Sequence, residues 1–245
     1  MNPPLWLRPV LDALGGERRK PTIILLVCPF LMVTWKYFGS PEFYRGRLAS
    51  WFVFFGDPET TAAVYSFLAC LALLGVAPAL VVKFVLRERL ADYGVGLGDR
   101  VRTARTFVLL APLFVLAAYV GSRDPAVLAE YPINKHAGNS PGMFALHALT
   151  YLGFYAGWEF CFRGFMQFGL RRSLGDANAL LTQVLASCLL HLGKPAAEVY
   201  GSIFAAVLWG LVAFRTRSLL SGMMQHFVLG VAVDGFICYG SGGRA

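Results

Sequence analysis

Residues 142–170 read GMFALHALTYLGFYAGWEFCFRGFMQFGL, an apolar stretch whose only charges are Glu159 and Arg163. A helix at a soluble surface carries a polar face opposite its apolar stripe, and this one has none. It is also long enough to cross the roughly 30 Å hydrocarbon core of a bilayer at about 1.5 Å per residue. An ionisable side chain at bilayer depth costs about 2.5–3.5 kcal/mol on insertion scales, so such groups face a protein interior and serve a purpose. One stretch thus predicts both a membrane-spanning helix and a buried polar site.

Outward from it the same character holds. The chain is 57% hydrophobic and 15% charged, with a mean hydropathy of +0.58, against about half apolar and a quarter charged for soluble domains. Apolar runs predict seven spans, at about 21–38, 61–83, 104–121, 142–170, 177–193, 196–214 and 218–239. The fifth and sixth are divided only by Gly193-Lys194-Pro195. The fold class is all-α, a polytopic transmembrane helical bundle. Residues 1–20 form an N-terminal interfacial segment, with Trp6, Leu7, Val10, Leu11 and Leu14 spaced for one face of a helix. No small-residue cleavage site follows it, so it reads as a retained anchor. Residues 21–140 supply the first helices, with a membrane-surface segment near 40–60 marked by Trp51, Phe52, Phe54 and Phe55. Residues 142–239 hold the site.

The net charge of +8 does not indicate nucleic acid, because Lys and Arg fall in short clusters between apolar runs. Arg18-Arg19-Lys20, Arg87 with Arg89, Arg171-Arg172 and Arg215 with Arg217 suit loops beside anionic headgroups. Of the 22 basic residues, fourteen fall on the side of the N-terminus, seven on the other, and Arg163 within a span. The positive-inside rule then places the N-terminus in the cytoplasm, most simply at a bacterial inner (plasma) membrane. The five cysteines (Cys28, Cys70, Cys161, Cys188, Cys238) lie in apolar runs without a CxxC pair and read as small buried hydrophobes.

Charges within the spans concentrate in the C-terminal half: Glu159 and Arg163, then His191, Glu198, His226 and Asp234. Counted from the N-terminal-side ends of their helices, these lie at about 17 Å for Glu159, 21 Å for His191, 12 Å for His226 and 24 Å for Glu198 and Asp234. One slab near mid-membrane is predicted to hold them all. Glu159 and Arg163 stand four apart with the acid first, the favourable order for an ion pair, and the guanidinium keeps the carboxylate ionised as a proton acceptor. Asp234 could orient a histidine ring. Glu198, just after a turn, reads as solvated or else as a supporting group of the site, and His136 and His147 as structural. The Gly153, Gly157 and Gly164 spacing suits close helix packing.

One acid and two imidazoles suit two schemes. In one, Glu159 is general base on water attacking a peptide carbonyl, and His226 or His191 stabilises the oxyanion or protonates the leaving amine. In the other, His191, His226 and Glu159 ligate zinc. The absence of an HExxH spacing and the repulsion of a cation by Arg163 favour the first, with no cofactor. A proton-coupled transporter would use the same groups as a relay, though no inverted repeat is visible.

In this order the residues resemble the CAAX prenyl protease and bacteriocin-processing (CPBP) family of intramembrane peptidases. Its pattern is Glu-Glu-xxx-Arg on one helix, Phe-xxx-His on the next, and His-xxx-Asn on a later one. Glu159, Arg163 and Gly164 match the end of the first, His191 the second and His226 the third. Trp158 stands at the first Glu, Ser187 at the Phe and Gly230 at the Asn; Asp234, one turn on, could supply the missing polar group. The Trp-Glu-Phe variant looks like a bacterial branch that includes sorting peptidases acting on C-terminal anchors. The resemblance covers 142–239 and implies a glutamate-dependent endopeptidase cleaving near the C-terminus of a membrane-anchored or lipid-modified protein. The losses at 158 and 230 also suit a non-catalytic scaffold of the same family.

Overall fold

A computed structural model describes residues 6–240. Among them there is no β-strand, and, apart from a short helix at 41–48 and isolated 3-10 turns, the helices run in sequence as α1 (Arg8–Ala13), α2 (Gly16–Phe38), α3 (Pro58–Leu86), α4 (Arg100–Gly121), α5 (Pro125–Glu130), α6 (Pro141–Leu190), α7 (Ala196–Thr216) and α8 (Leu220–Tyr239). All but α1 and α5 are long and apolar enough to cross a membrane, six in all among the described residues. Within residues 1–20 the structure describes the short helix α1 and the start of α2; residues 1–5 and Arg244 lie outside the described residues.

The seven predicted spans and these six helices differ only at α6. Its backbone leaves helical geometry at Gly175 (φ 76°, ψ 166°), a conformation open to glycine. The two arms beyond it run back alongside each other. Gln167 and Gln183, eight residues before and after Gly175, both donate side-chain hydrogen bonds to α7, to the carbonyls of Gly210 (2.9 Å) and Ala206 (3.0 Å). The single stretch Pro141–Leu190 therefore makes two antiparallel passes, matching the predicted spans at 142–170 and 177–193.

Loop contacts sort the chain ends into two faces. On the near face, with α1, Lys20 pairs with Glu88 (2.7 Å), and the Asp99 and Leu219 N–H groups donate to the carbonyls of Thr216 and Gly94. On the far face His136 pairs with Asp57 (2.7 Å), Thr60 bonds Asn134, Tyr131 donates to Glu198 (2.8 Å), and Lys194 pairs with Glu130. Asp57 caps α3 through the N–H groups of Glu59 and Thr60. Burial opposes its ionisation, but hydrogen bonds from Thr60, His136 and these backbone donors outweigh burial and hold its carboxyl well below the usual range. In the far-face segment the aromatic residues Trp51, Phe54 and Phe55 are exposed.

The distribution of side chains is that of a protein solvated by lipid. Phe30, Leu109 and Phe204 are each more than 70% exposed, while Gln167, Gln183, Thr216 and Gln225 are fully buried. Lipid leaves apolar groups free to face outward and drives polar ones inward to find partners. Gly157 lets α6 approach α3: a Cβ there would collide with the backbone of Cys70 and Leu71. Gly153 abuts Leu71, and Gly164 abuts Phe160 and the Tyr93 carbonyl, so the glycine spacing is a packing device.

Candidate active site

Helix α6 widens into π-helical turns from Phe160 to Phe168, immediately after Glu159. Such wide turns cluster at functional sites because they rotate following side chains relative to preceding ones. Glu159 and Arg163 are both 1% exposed, and Arg163 Nη1 lies 3.3 Å from Glu159 Oε1. The same oxygen is 2.9 Å from Nδ1 of His226 on α8. The carboxylate accepts there, so His226 carries its proton on Nδ1 and leaves Nε2 as its free nitrogen. The imidazole is clamped between aromatic rings, 4.2 Å from Trp209 and nearly parallel to it, and 4.4 Å from Tyr155. Trp209 is itself held by donation from its indole N–H to Gln225.

His191 follows the second arm of α6. Its Nδ1 is 2.8 Å from the Ser187 carbonyl oxygen and donates to it, and its ring meets Trp158 edge-on at 5.2 Å. It makes no hydrogen bond to Glu159, but it and His226 line the same two cavities. One cavity, of about 530 Å³, has a polar rim on the far face that includes Lys36, Glu42, Lys135 and Lys194. The other, of about 590 Å³, is a mostly apolar groove between α4, α7 and α8. Their common wall includes Tyr155, Trp158, His191, His226 and Glu198. Glu159 borders neither; it stands behind His226.

Asp234 is elsewhere. It accepts from, or is ion-paired with, Nε2 of His147 at 2.7 Å, both side chains fully buried. His147 precedes Glu159 by twelve residues on α6, about 18 Å along the axis. The predicted common slab therefore loses Asp234, which lies toward the far face. The reason is direction: α6 and α8 are antiparallel, so residues after His226 pair with residues ever further before Glu159. Asp234 thus orients a histidine, but neither His191 nor His226. Glu198, half-buried just after its turn, accepts from Tyr131 and lines both cavities.

Tyr155 was not among the predicted site residues. A Cβ on Gly230 would overlap the Tyr155 hydroxyl, so that hydroxyl occupies the space a side chain at 230 would fill. A phenolic donor one helical turn before Glu159 therefore stands at the position where the family pattern carries Asn. Arg163 lines the groove, while the Nε and Nη1 of its guanidinium are buried without a hydrogen-bond acceptor, Nη1 on the Glu159 side. The site thus combines a carboxylate–imidazole pair, a second imidazole, a phenol and a guanidinium.

For zinc the donor set does not fit as it stands. Among the described residues no three His, Cys, Asp or Glu side chains converge on a point where an ion could sit. Glu159 and His226 meet, while His191 is turned to the Ser187 carbonyl and a guanidinium crowds the carboxylate.

Residues 139–232 match the family model described as type II CAAX prenyl endopeptidase, Rce1-like. No curated protein and no solved structure matches the chain.

Proposed function

Starting from a membrane protein whose residues 139–232 belong to the CAAX endopeptidase family, we propose that it hydrolyses a peptide bond with Glu159 acting on water through His226. The observation that carries this reading is the 2.9 Å contact between Glu159 Oε1 and His226 Nδ1, with His226 and not Glu159 at the cavity wall. The carboxylate fixes the tautomer and stabilises the imidazolium that forms. His226 Nε2 takes a proton from water, and the water oxygen bonds to the scissile carbonyl carbon. The tetrahedral oxyanion accepts hydrogen bonds from Arg163 and Tyr155. Collapse breaks the C–N bond, and the departing amine takes its proton from His226, with His191 poised on the same wall to assist. Every step uses side chains of this chain and no metal. Glu198, held by Tyr131, shapes the cavity rim.

The substrate is a membrane-anchored or lipid-modified protein, cut near its C-terminus, since both cavities meet at the imidazoles and one of them is open to lipid. Purified protein in proteoliposomes tests the reading with a single-span reporter. Glu159→Gln and His191→Ala are expected to abolish cleavage while both variants remain inserted, and chelation is expected to leave the parent rate unchanged. Normal cleavage by Glu159→Gln would show that the chain uses another site, and no cleavage by the parent chain would mark it as a non-catalytic family member. Stoichiometric zinc, with activity lost on chelation and restored by zinc, would replace the metal-free scheme.

A further inference from the structure

The two cavities differ in what they open to, and the charge of the two faces gives that difference a direction. The polar cavity is rimmed by far-face residues: Lys36 at the end of α2, Glu42 just after it, Lys135 after α5 and Lys194 in the turn before α7. No residue of the near-face basic clusters, 83–105, 171–172 or 215–217, lines either cavity. Those clusters lie on the face that carries fourteen of the 22 Lys and Arg, the face that the positive-inside rule assigns to the cytoplasm.

The groove completes the geometry. Its walls are apolar side chains such as Leu113, Phe114, Leu116, Ala205 and Leu229, until it reaches Arg163, His191 and His226 at its inner end. Whatever lies in it must be continuous with the bond those residues act on, which favours an apolar stretch of polypeptide over a free lipid. A helix of about 10 Å diameter would fill such a groove with roughly five residues, so the groove takes only the part of an anchor next to the scissile bond. Gly201 lies on the groove wall with open space before it, since a Cβ there would meet nothing within 4 Å.

We infer that the site takes exported proteins: polypeptides whose folded part lies on the non-cytoplasmic face and whose apolar stem enters the groove between α4, α7 and α8. This rests on the peptidase reading above for its chemistry, while its direction rests on charge and cavity placement alone. The polar segment next to the bond passes through the cavity rimmed by Lys36 and Lys135, and the stem enters sideways from lipid.

Two measurements on the full-length protein in membranes keep the two claims apart. Lys36 and Arg172 are both exposed and lie on opposite faces. In intact right-side-out vesicles a membrane-impermeant maleimide is expected to label Lys36→Cys directly and Arg172→Cys only after permeabilisation, above the background of the unsubstituted chain. The reverse pattern overturns the direction whatever the cleavage result. Two single-span reporters of opposite orientation are then co-expressed with the chain. Glu159-dependent cleavage is expected only for the one with its folded domain outside; cleavage of the inward-facing reporter, alone or equally, overturns the inference. Cleavage of neither, with labelling as expected, counts against the peptidase reading and removes the substrate with it. Gly201→Trp is expected to slow the anchored reporter more than a short peptide spanning the same bond, and equal slowing of both would exclude the groove as the stem's seat.

Discussion

Two acid–histidine pairs join α6 to α8, and they do different things. Glu159 with His226 and Asp234 with His147 are each in hydrogen-bond contact, at 2.9 and 2.7 Å, and each joins the same two antiparallel helices. His147 and Asp234 are fully buried, border no cavity, and leave one polar atom each without a partner, Nδ1 and Oδ1. His226 reaches both cavities, with a guanidinium beside its carboxylate partner and two aromatic rings fixing its plane. The lesson is that the same functional groups, a carboxylate in contact with an imidazole, become a clamp or a reaction centre according to access. A sealed pair can only hold helices together; a pair with one open nitrogen can move a proton.

The largest test of that contrast is removal of His226. His226→Ala is expected to lower cleavage by about 10³–10⁴-fold, as removal of a general base does, with a smaller loss of stability than at His147 because Arg163 still partners the Glu159 carboxylate. His147→Ala should do the opposite, leaving activity per folded molecule intact while destabilising the bundle by about 3–5 kcal/mol, because a buried ionisable partner is left alone. The replacement of both, His147→Leu with Asp234→Leu, should recover most of that stability, as apolar substitution of a whole buried pair does. A loss of cleavage in the double replacement beyond the loss of folded protein would erase the distinction between the pairs. Tyr155→Phe sharpens it from the other side: losing one donor to the oxyanion should reduce kcat by about 10²-fold with KM nearly unchanged.

The smallest effect lies outside the membrane. Asp57→Ala removes the cap of α3 and the partner of His136, and should cost about 1 kcal/mol. Because the folded carboxyl titrates below its unfolded value, its contribution is present above the ordinary carboxylate range and is lost as the pH falls toward the folded value. Parent and variant melting temperatures should therefore converge in strong acid and differ at neutral pH.

Much of this was legible in the sequence, and the reasons differ by residue. Glu159, Arg163, His191 and His226 stood out because a charge in an apolar span has no background to hide in. The reversal of α6 was signalled by Arg171-Arg172 and the polar run around Gly175, where no lipid-embedded helix could continue. The partner of Asp234 was not legible, since pairing depends on helix direction and rotation, which depth along a single helix does not specify. Tyr155 was hidden among the aromatic residues of α6. Only its spacing, four residues before Glu159 and thus on the same face, pointed to it. That Glu159 sits behind His226 is a matter of side-chain layering, to which periodicity is blind.

The central claim, that Glu159 and His226 act as one unit on water, is tested most directly by a double-variant cycle. Rates in proteoliposomes would be compared for Glu159→Gln, His226→Gln and the two combined. Residues that act as a unit lose their joint contribution once either is gone, so the double variant is expected to be no slower than the slower single one. A double variant slowed by the product of the two single effects, or either single variant cleaving at the parent rate, would contradict the account.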